Sequence, residues 1–169
     1  MSNFYHRLLF KCMGWSEQVT IPHRDKCIIC VAPHTSNWDF IIGQLYYRSL
    51  GRTAGFLMKK EWFFWPLGIL FRKMGGIPVY RSKKTSMTDT LAERIKEMEH
   101  FELAVTPEGT RSKVTTWKRG FYFIALKAGI PIQLYDLDYK NKVIRCTKEL
   151  IPTGDVEADM REIMEYYKN

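Results

Sequence analysis

Short apolar runs and longer amphipathic stretches alternate along this chain, and the alternation predicts its elements. The runs at 26–32, 53–58, 77–80, 101–106, 131–138 and 142–148 have the length and composition of strands. The stretches at 3–14, 36–50, 87–99, 117–128 and 155–167 carry helical periodicity. In 36–50 the spacing puts Trp38, Ile41, Ile42, Leu45, Tyr46 and Leu50 on one buried face, and Gly51 supplies the stop. In 3–14, Phe4, Leu8, Leu9 and Cys12 lie on one side, with His6, Arg7 and Lys11 among the rest. That pattern fits a helix lying on a membrane and equally a cap on the core. Pro66 divides the aromatic stretch 61–71 into a short helical turn and a second helix, which Gly75-Gly76 ends. Ser86 and Asp89 form a capping box with Asp in place of Glu. Gly129 closes the helix over 117–128, and Lys140-Asn141 turns one strand into the next.

Strands that alternate with helices define an α/β class: a single domain with a largely parallel mixed sheet flanked by helices. The last two strands, joined by a short turn, add an antiparallel hairpin near the C-terminal part. A chain of 169 residues suits one domain with one sizeable core. Residues 1–15 form its amphipathic N-terminal helix and 26–138 hold the core. No internal repeat or linker divides it.

Composition changes this picture in two places. The formal net charge is +8 with a sequence pI near 9.3, which favours anionic partners: nucleic acid, an anionic membrane or phosphorylated small molecules. Aromatics reach 14%, which suits a membrane interface and also single-stranded nucleic acid. The longest nearly uncharged stretch, 62–71, is half of the roughly 20 residues a membrane-spanning helix needs. Lys11 interrupts any signal-peptide core. These features predict a cytoplasmic protein. Cys27 and Cys30, three apart on a strand, face opposite sides of the sheet and cannot chelate one metal. They read as buried free thiols.

In such a sheet, ligands gather beyond the carboxyl ends of the strands. His34 follows the first predicted strand, Lys59-Lys60 the second, Arg81 the third, and Glu108 with Arg111 the fourth. If Thr35 or Ser36 caps the next helix, Asp39 falls in its first turn, and its carboxylate can lean back to His34. It would then fix the tautomer of a general base; otherwise Asp39 merely complements the helix dipole. Arg81 and Arg111 can grip a phosphate with paired hydrogen bonds, or be solvated surface arginines. The Glu108-Gly109-Thr110-Arg111-Ser112 loop allows a tight backbone turn at Gly109 and lacks the spacing of a Walker loop. The stretch 61–71 is either a buried helix or an apolar surface for lipid chains.

Taken together, these blocks resemble the PlsC-type glycerolipid acyltransferases, which include the lysophosphatidic acid acyltransferases. His34-Thr-Ser-Asn-Trp-Asp39 resembles the family's HxxxxD motif. Lys60-Glu61, Pro66 and Gly76-Ile-Pro-Val-Tyr-Arg81 resemble its second block. Pro107-Glu108-Gly109-Thr110-Arg111-Ser112 resembles the third, and Gly129-Ile-Pro131-Ile the fourth. The resemblance implies transfer of a fatty acyl group from acyl-CoA or acyl-carrier protein to the hydroxyl of a lysophospholipid-like acceptor, lysophosphatidic acid first among them. It makes His34 the general base and Asp39 its orienter. Lys60, Arg81 and Arg111 would hold the acceptor's phosphate, and Glu108, Gly109 and Thr110 would shape the binding loop. It implies no cofactor and no metal, the thioester being a co-substrate. It also implies a peripheral position on the inner face of the cell membrane. A phosphate-free lysolipid, such as an amino-acid lipid, is the alternative acceptor. A basic nucleic-acid-binding module is the alternative of another class. It accounts for the charge but not for the His34–Asp39 spacing or the 107–112 loop, so no nucleic-acid partner is expected.

Overall fold

A computed structural model of the chain describes residues 2–79, 87–110, 114 and 116–168. Arg81, Ser86, Arg111 and Ser112 lie outside the described residues. The chain runs α1 (Ser2–Cys12), β1 (Ser16–Val19), β2 (Lys26–Val31), α2 (Trp38–Ser49), β3 (Gly55–Lys59), a 3-10 turn (Lys60–Trp62), α3 (Leu67–Lys73) and β4 (Gly76–Val79). It continues with α4 (Met87–Glu97), β5 (Phe101–Val105), α5 (Gly120–Ala128), β6 (Ile132–Asp138), β7 (Val143–Leu150) and α6 (Val156–Tyr166). Among the described residues, seven strands form one sheet in the order β1-β7-β6-β2-β5-β3-β4, in which β6 and β7 pair antiparallel and the other neighbouring pairs are parallel. The sheet is therefore mixed and largely parallel, with its hairpin near the C-terminal end.

The central strand β2 explains why the sheet is covered on both faces. Its KCIICV sequence is apolar on consecutive positions, the mark of a strand buried on both sides. Ile28 and Cys30 join Leu103, Ile124, Ile132 and Ile163 in a core under α4, α5 and α6. Cys27 and Ile29 join Ile42, Tyr46 and Tyr135 in a second core under α1 and α2. The CxxC pair is thus split between the two faces, as strand alternation requires. Burial pushes the Cys30 thiol up to about 12, so it stays a protonated, inert apolar group.

Two elements differ from the sequence reading. Strand β1 carries no apolar alternation; Ser16-Glu17-Gln18 are exposed and the strand is held at the sheet edge by pairing with β7 alone. On α2, Trp38 is 54% exposed and Ile41 46% exposed, while Asp39, Ile42, Leu45, Tyr46 and Tyr47 are buried. The buried stripe has rotated from the predicted one because it begins at Asp39. That carboxylate must point inward to reach the loop after β2, and helical spacing then fixes the rest.

Connectivity positions the site. Strands β2 and β5 are adjacent and parallel, with Cys30 opposite Val105, so the loops that follow them emerge side by side. The chain leaves β2 toward β3, beyond β5, whereas it leaves β5 toward β6, beyond β2. A crevice at the carboxyl ends opens where connections diverge in this way.

Candidate active site

The loop between β2 and α2 is wound around one carboxylate. Asp39 Oδ2 accepts hydrogen bonds from the backbone N–H of Thr35 (2.9 Å) and Ser36 (3.1 Å), and lies 2.8 Å from His34 Nδ1. Ser36 Oγ accepts from the backbone N–H of Trp38, which starts the helix. An ionised carboxylate only accepts, so Nδ1 carries the proton and the neutral ring's lone pair sits on Nε2. The Asp39 side chain is 3% exposed and that of His34 19%. The acid is therefore fixed inside the protein while the imidazole remains reachable.

Two further groups hold this pair. Tyr139, at the end of the β6 arm of the hairpin, donates its hydroxyl to Asp39 Oδ1. Burial first, and the carboxylate beside it, push the Tyr139 phenol upward, so it stays a donor throughout the working pH range. Trp15 packs edge-on against the Tyr139 ring, 5.3 Å between centroids. From the other side, Glu108 accepts the backbone N–H of His34, tying the loop after β5 to the loop after β2. That loop turns tightly: Gly109 N–H reaches Thr106 O at 3.1 Å and Lys118 N–H reaches Pro107 O at 2.8 Å. Gly109 has φ +63, a conformation that calls for glycine, while a Cβ there would meet only the flexible end of the Lys118 side chain.

His34 opens on two spaces. One is a cavity of about 560 Å³ between α2 and the sheet, walled by Val31, Phe40, Ala54, Phe56, Met58 and Ala104. Its size is that of a ligand site. Phe40 and Phe56 meet edge-to-face at 4.7 Å along one wall. Gly43, one turn after Asp39, adds no side chain, and a Cβ there would meet nothing within 4 Å. The other space is an open polar cleft of about 510 Å³ lined by His34, Asn37, Thr106, Gly109 and Thr110. His34, Asn37, Thr106 and Gly109 border both.

Of the residues singled out in the sequence, His34, Asp39, Glu108, Gly109 and Thr110 come together here. Lys60 sits in the 3-10 turn and borders neither space; its neighbour Lys59 lines the apolar cavity, as does Lys118. Arg81 and Arg111 lie outside the described residues. Sequence reasoning missed Tyr139 and Lys118. Lys118 had a signal, being a cation a few residues past Gly109, but Tyr139 is 100 positions from Asp39 and had none. The aromatic stretch resolves as surface: Trp62, Phe64, Trp65, Ile69 and Leu70 are all exposed, Trp65 by 82%. Among the described residues, no group of three His, Cys, Asp or Glu side chains is arranged to hold a metal ion.

The sequence model of the acyltransferase family matches residues 16–133. In fold, the chain is similar to the crystal structure of the 1-acyl-sn-glycerophosphate (LPA) acyltransferase PlsC from Thermotoga maritima, with a TM-score of 0.67. That likeness covers 98% of this chain and 74% of the other at 21% sequence identity. No curated protein sequence matches the chain.

Proposed function

Because the chain belongs to the acyltransferase family, we propose that it moves a fatty acyl group from the thioester of acyl-CoA or acyl-carrier protein to the hydroxyl of a lysophospholipid-like acceptor, with His34 as general base. The observation that carries this reading is the His34–Asp39 pair at the junction of an apolar cavity and a polar cleft. The cavity suits the acyl chain and the cleft suits the acceptor's polar end, which brings thioester carbon and hydroxyl together at the imidazole.

The chemistry then needs one base and no protein nucleophile. His34 Nε2 takes the hydroxyl proton as the acceptor oxygen bonds to the thioester carbon. Asp39, saturated by fixed donors, stabilises the imidazolium without reorganising. The tetrahedral intermediate collapses with cleavage of the C–S bond, and the leaving thiolate takes the proton back from His34. Lys59 and Lys118, which line the cavity, supply cations for an anionic headgroup or donor phosphate, and on the sequence alone Arg81 and Arg111 join them.

The same reading puts the protein on a membrane surface at the cytoplasmic side. Among the described residues no helix is long and apolar enough to cross a membrane. Helix α1 docks through Phe10, 5.7 Å from the Tyr46 ring, and leaves Phe4, Tyr5, Leu8 and Leu9 outward beside Arg7 and Lys11. Together with the exposed aromatics of 62–70, these are the groups that enter a headgroup layer.

A panel of lysolipids tests the proposal: thioester consumption by the purified protein is followed with lysophosphatidic acid, other lysophospholipids and an amino-acid lysolipid as acceptors. Consumption that depends on an acceptor and is fastest with lysophosphatidic acid supports it. Equal rates with phosphate-free acceptors would transfer the assignment to those lipids, and no consumption with any acceptor would end the acyl-transfer reading.

A further inference from the structure

Acyl transfer places a negative oxygen where the cavity meets the cleft, and His34 is occupied there with the acceptor's proton. When the acceptor oxygen bonds to the thioester carbon, the π pair of the carbonyl moves onto its oxygen. The pair returns as the C–S bond breaks. Donors fixed at that oxygen's position lower the barrier. The backbone N–H groups around His34 do not serve, because they are already taken. Glu108 holds that of His34, Asp39 those of Thr35 and Ser36, Ser36 Oγ that of Trp38, and Thr106 O that of Gly109.

Of the residues that border both spaces, His34 is the base and Gly109 has no side chain, which leaves the Asn37 amide and the Thr106 hydroxyl. Neither has a hydrogen-bond partner among the described residues. For Asn37 this follows from local structure. It is the N-cap of α2, where an asparagine side chain ordinarily binds the first N–H groups of the helix. Here its backbone is already helical, with φ -62 and ψ -20, and its side chain makes no cap hydrogen bond. Ser36 Oγ takes the Trp38 N–H instead, so the Asn37 amide stays free beside the junction. Thr106 follows β5, the strand next to β2, and reaches the junction from the neighbouring loop.

We propose that Asn37 is the oxyanion donor of this site, its Nδ2–H holding the thioester oxygen as that oxygen becomes negative, with the Thr106 hydroxyl as second donor. The inference rests on the acyl-transfer reading above and adds a catalytic residue to it. Both groups donate without giving up a proton, so the one proton that moves is the one His34 takes and returns. Thr35 and Ser36, which precede Asn37, are tied to Asp39, so the backbone that carries the amide is fixed relative to His34. Donors held in this way need no rearrangement as the charge develops. The competing role is grip on the acceptor's headgroup, since both residues also line the cleft. Headgroup binding acts equally on ground and transition states and shows in KM, whereas an oxyanion donor shows in kcat.

Steady-state kinetics of thioester consumption compare wild type with Asn37→Ala, Asn37→Asp and Thr106→Val. Asn37 is exposed, so its replacement leaves the packing untouched, which thermal unfolding verifies. Asn37→Ala is expected to lower kcat about 10²-fold, the loss seen when one such donor is removed, at unchanged KM for donor and acceptor. Asn37→Asp, close in size but with a carboxylate that only accepts, is at least as slow. Thr106→Val also lowers kcat at unchanged KM. Inhibition by a long-chain trifluoromethyl ketone, whose hydrate is tetrahedral, weakens in Asn37→Ala by the factor lost in kcat, while binding of an unreactive CoA thioether stays the same. Wild-type kcat in either Asn37 variant, or a defect confined to the acceptor KM, overturns the assignment and leaves the acyl-transfer reading in place. A wild-type protein without acceptor-dependent consumption ends both.

Discussion

At the scale of single residues, the site depends on how completely Asp39 is bound. One oxygen collects the His34 ring and two backbone N–H groups, and the other collects Tyr139. Hydrogen bonds to a charged group contribute roughly 1.5–3 kcal/mol each, so the loop and the carboxylate fix one another. Tyr139 acts on the reaction only through Asp39, which makes it a positioning residue. Tyr139→Phe is expected to lower kcat of the folded protein about tenfold at unchanged donor KM, beside a loss of roughly 1.5–3 kcal/mol of stability from the missing hydrogen bond, measured by steady-state kinetics and calorimetry. A fall in stability with kcat of the folded protein unchanged would make the tyrosine a packing residue instead. The sequence disclosed His34 and Asp39 because their contact is local: five positions, one helix start. Tyr139 reaches the same carboxylate through the hairpin, and no local pattern carries that contact. Lys59 and Lys60 show the limit of spacing arguments at a strand end, because the 3-10 turn that begins at Lys60 decides which lysine borders the cavity.

At the scale of elements, apolar period was enough for β2, α2, β5 and β6, whose burial is extensive. It failed for β1, an edge strand that buries only part of Val19, and it set the face of α2 slightly wrong because a buried carboxylate overrode the apolar stripe. A second buried carboxylate holds the C-terminal helix. Asp159 on α6 accepts from Tyr122 OH at 2.7 Å and from the N–H (2.7 Å) and hydroxyl (3.0 Å) of Thr153. Burial alone would raise its pKa, but these donors outweigh burial and hold it below the ordinary carboxylate range. A carboxyl depressed in the folded state stabilises the fold above its unfolded value, and that contribution is lost as pH falls through the folded one. Asp159→Asn is therefore expected to cost about 2 kcal/mol at neutral pH. It should also flatten the acid side of the stability profile, both read from urea unfolding at a series of pH values. A variant with the wild-type acid slope would remove Asp159 from that account.

At the scale of the whole molecule, a charge of +8 and two outward apolar segments, on α1 and at 62–70, suit an anionic bilayer surface. Sedimentation with vesicles is expected to show binding to anionic lipid that weakens with added salt. Trp65→Ser should weaken it by about tenfold, because a buried large apolar side chain is worth roughly 1.5–3 kcal/mol. Binding that ignores both salt and Trp65 would place the contact elsewhere. The central claim, that His34 is the base for acyl transfer at the junction of cavity and cleft, has one most direct measurement. It is the rate of acceptor-dependent thioester cleavage by wild type and by His34→Ala at equal, verified folded concentration. A loss on the order of 10³-fold, within the range for general-base catalysis, is the predicted result. A His34→Ala protein that cleaves the thioester at the wild-type rate would contradict the account.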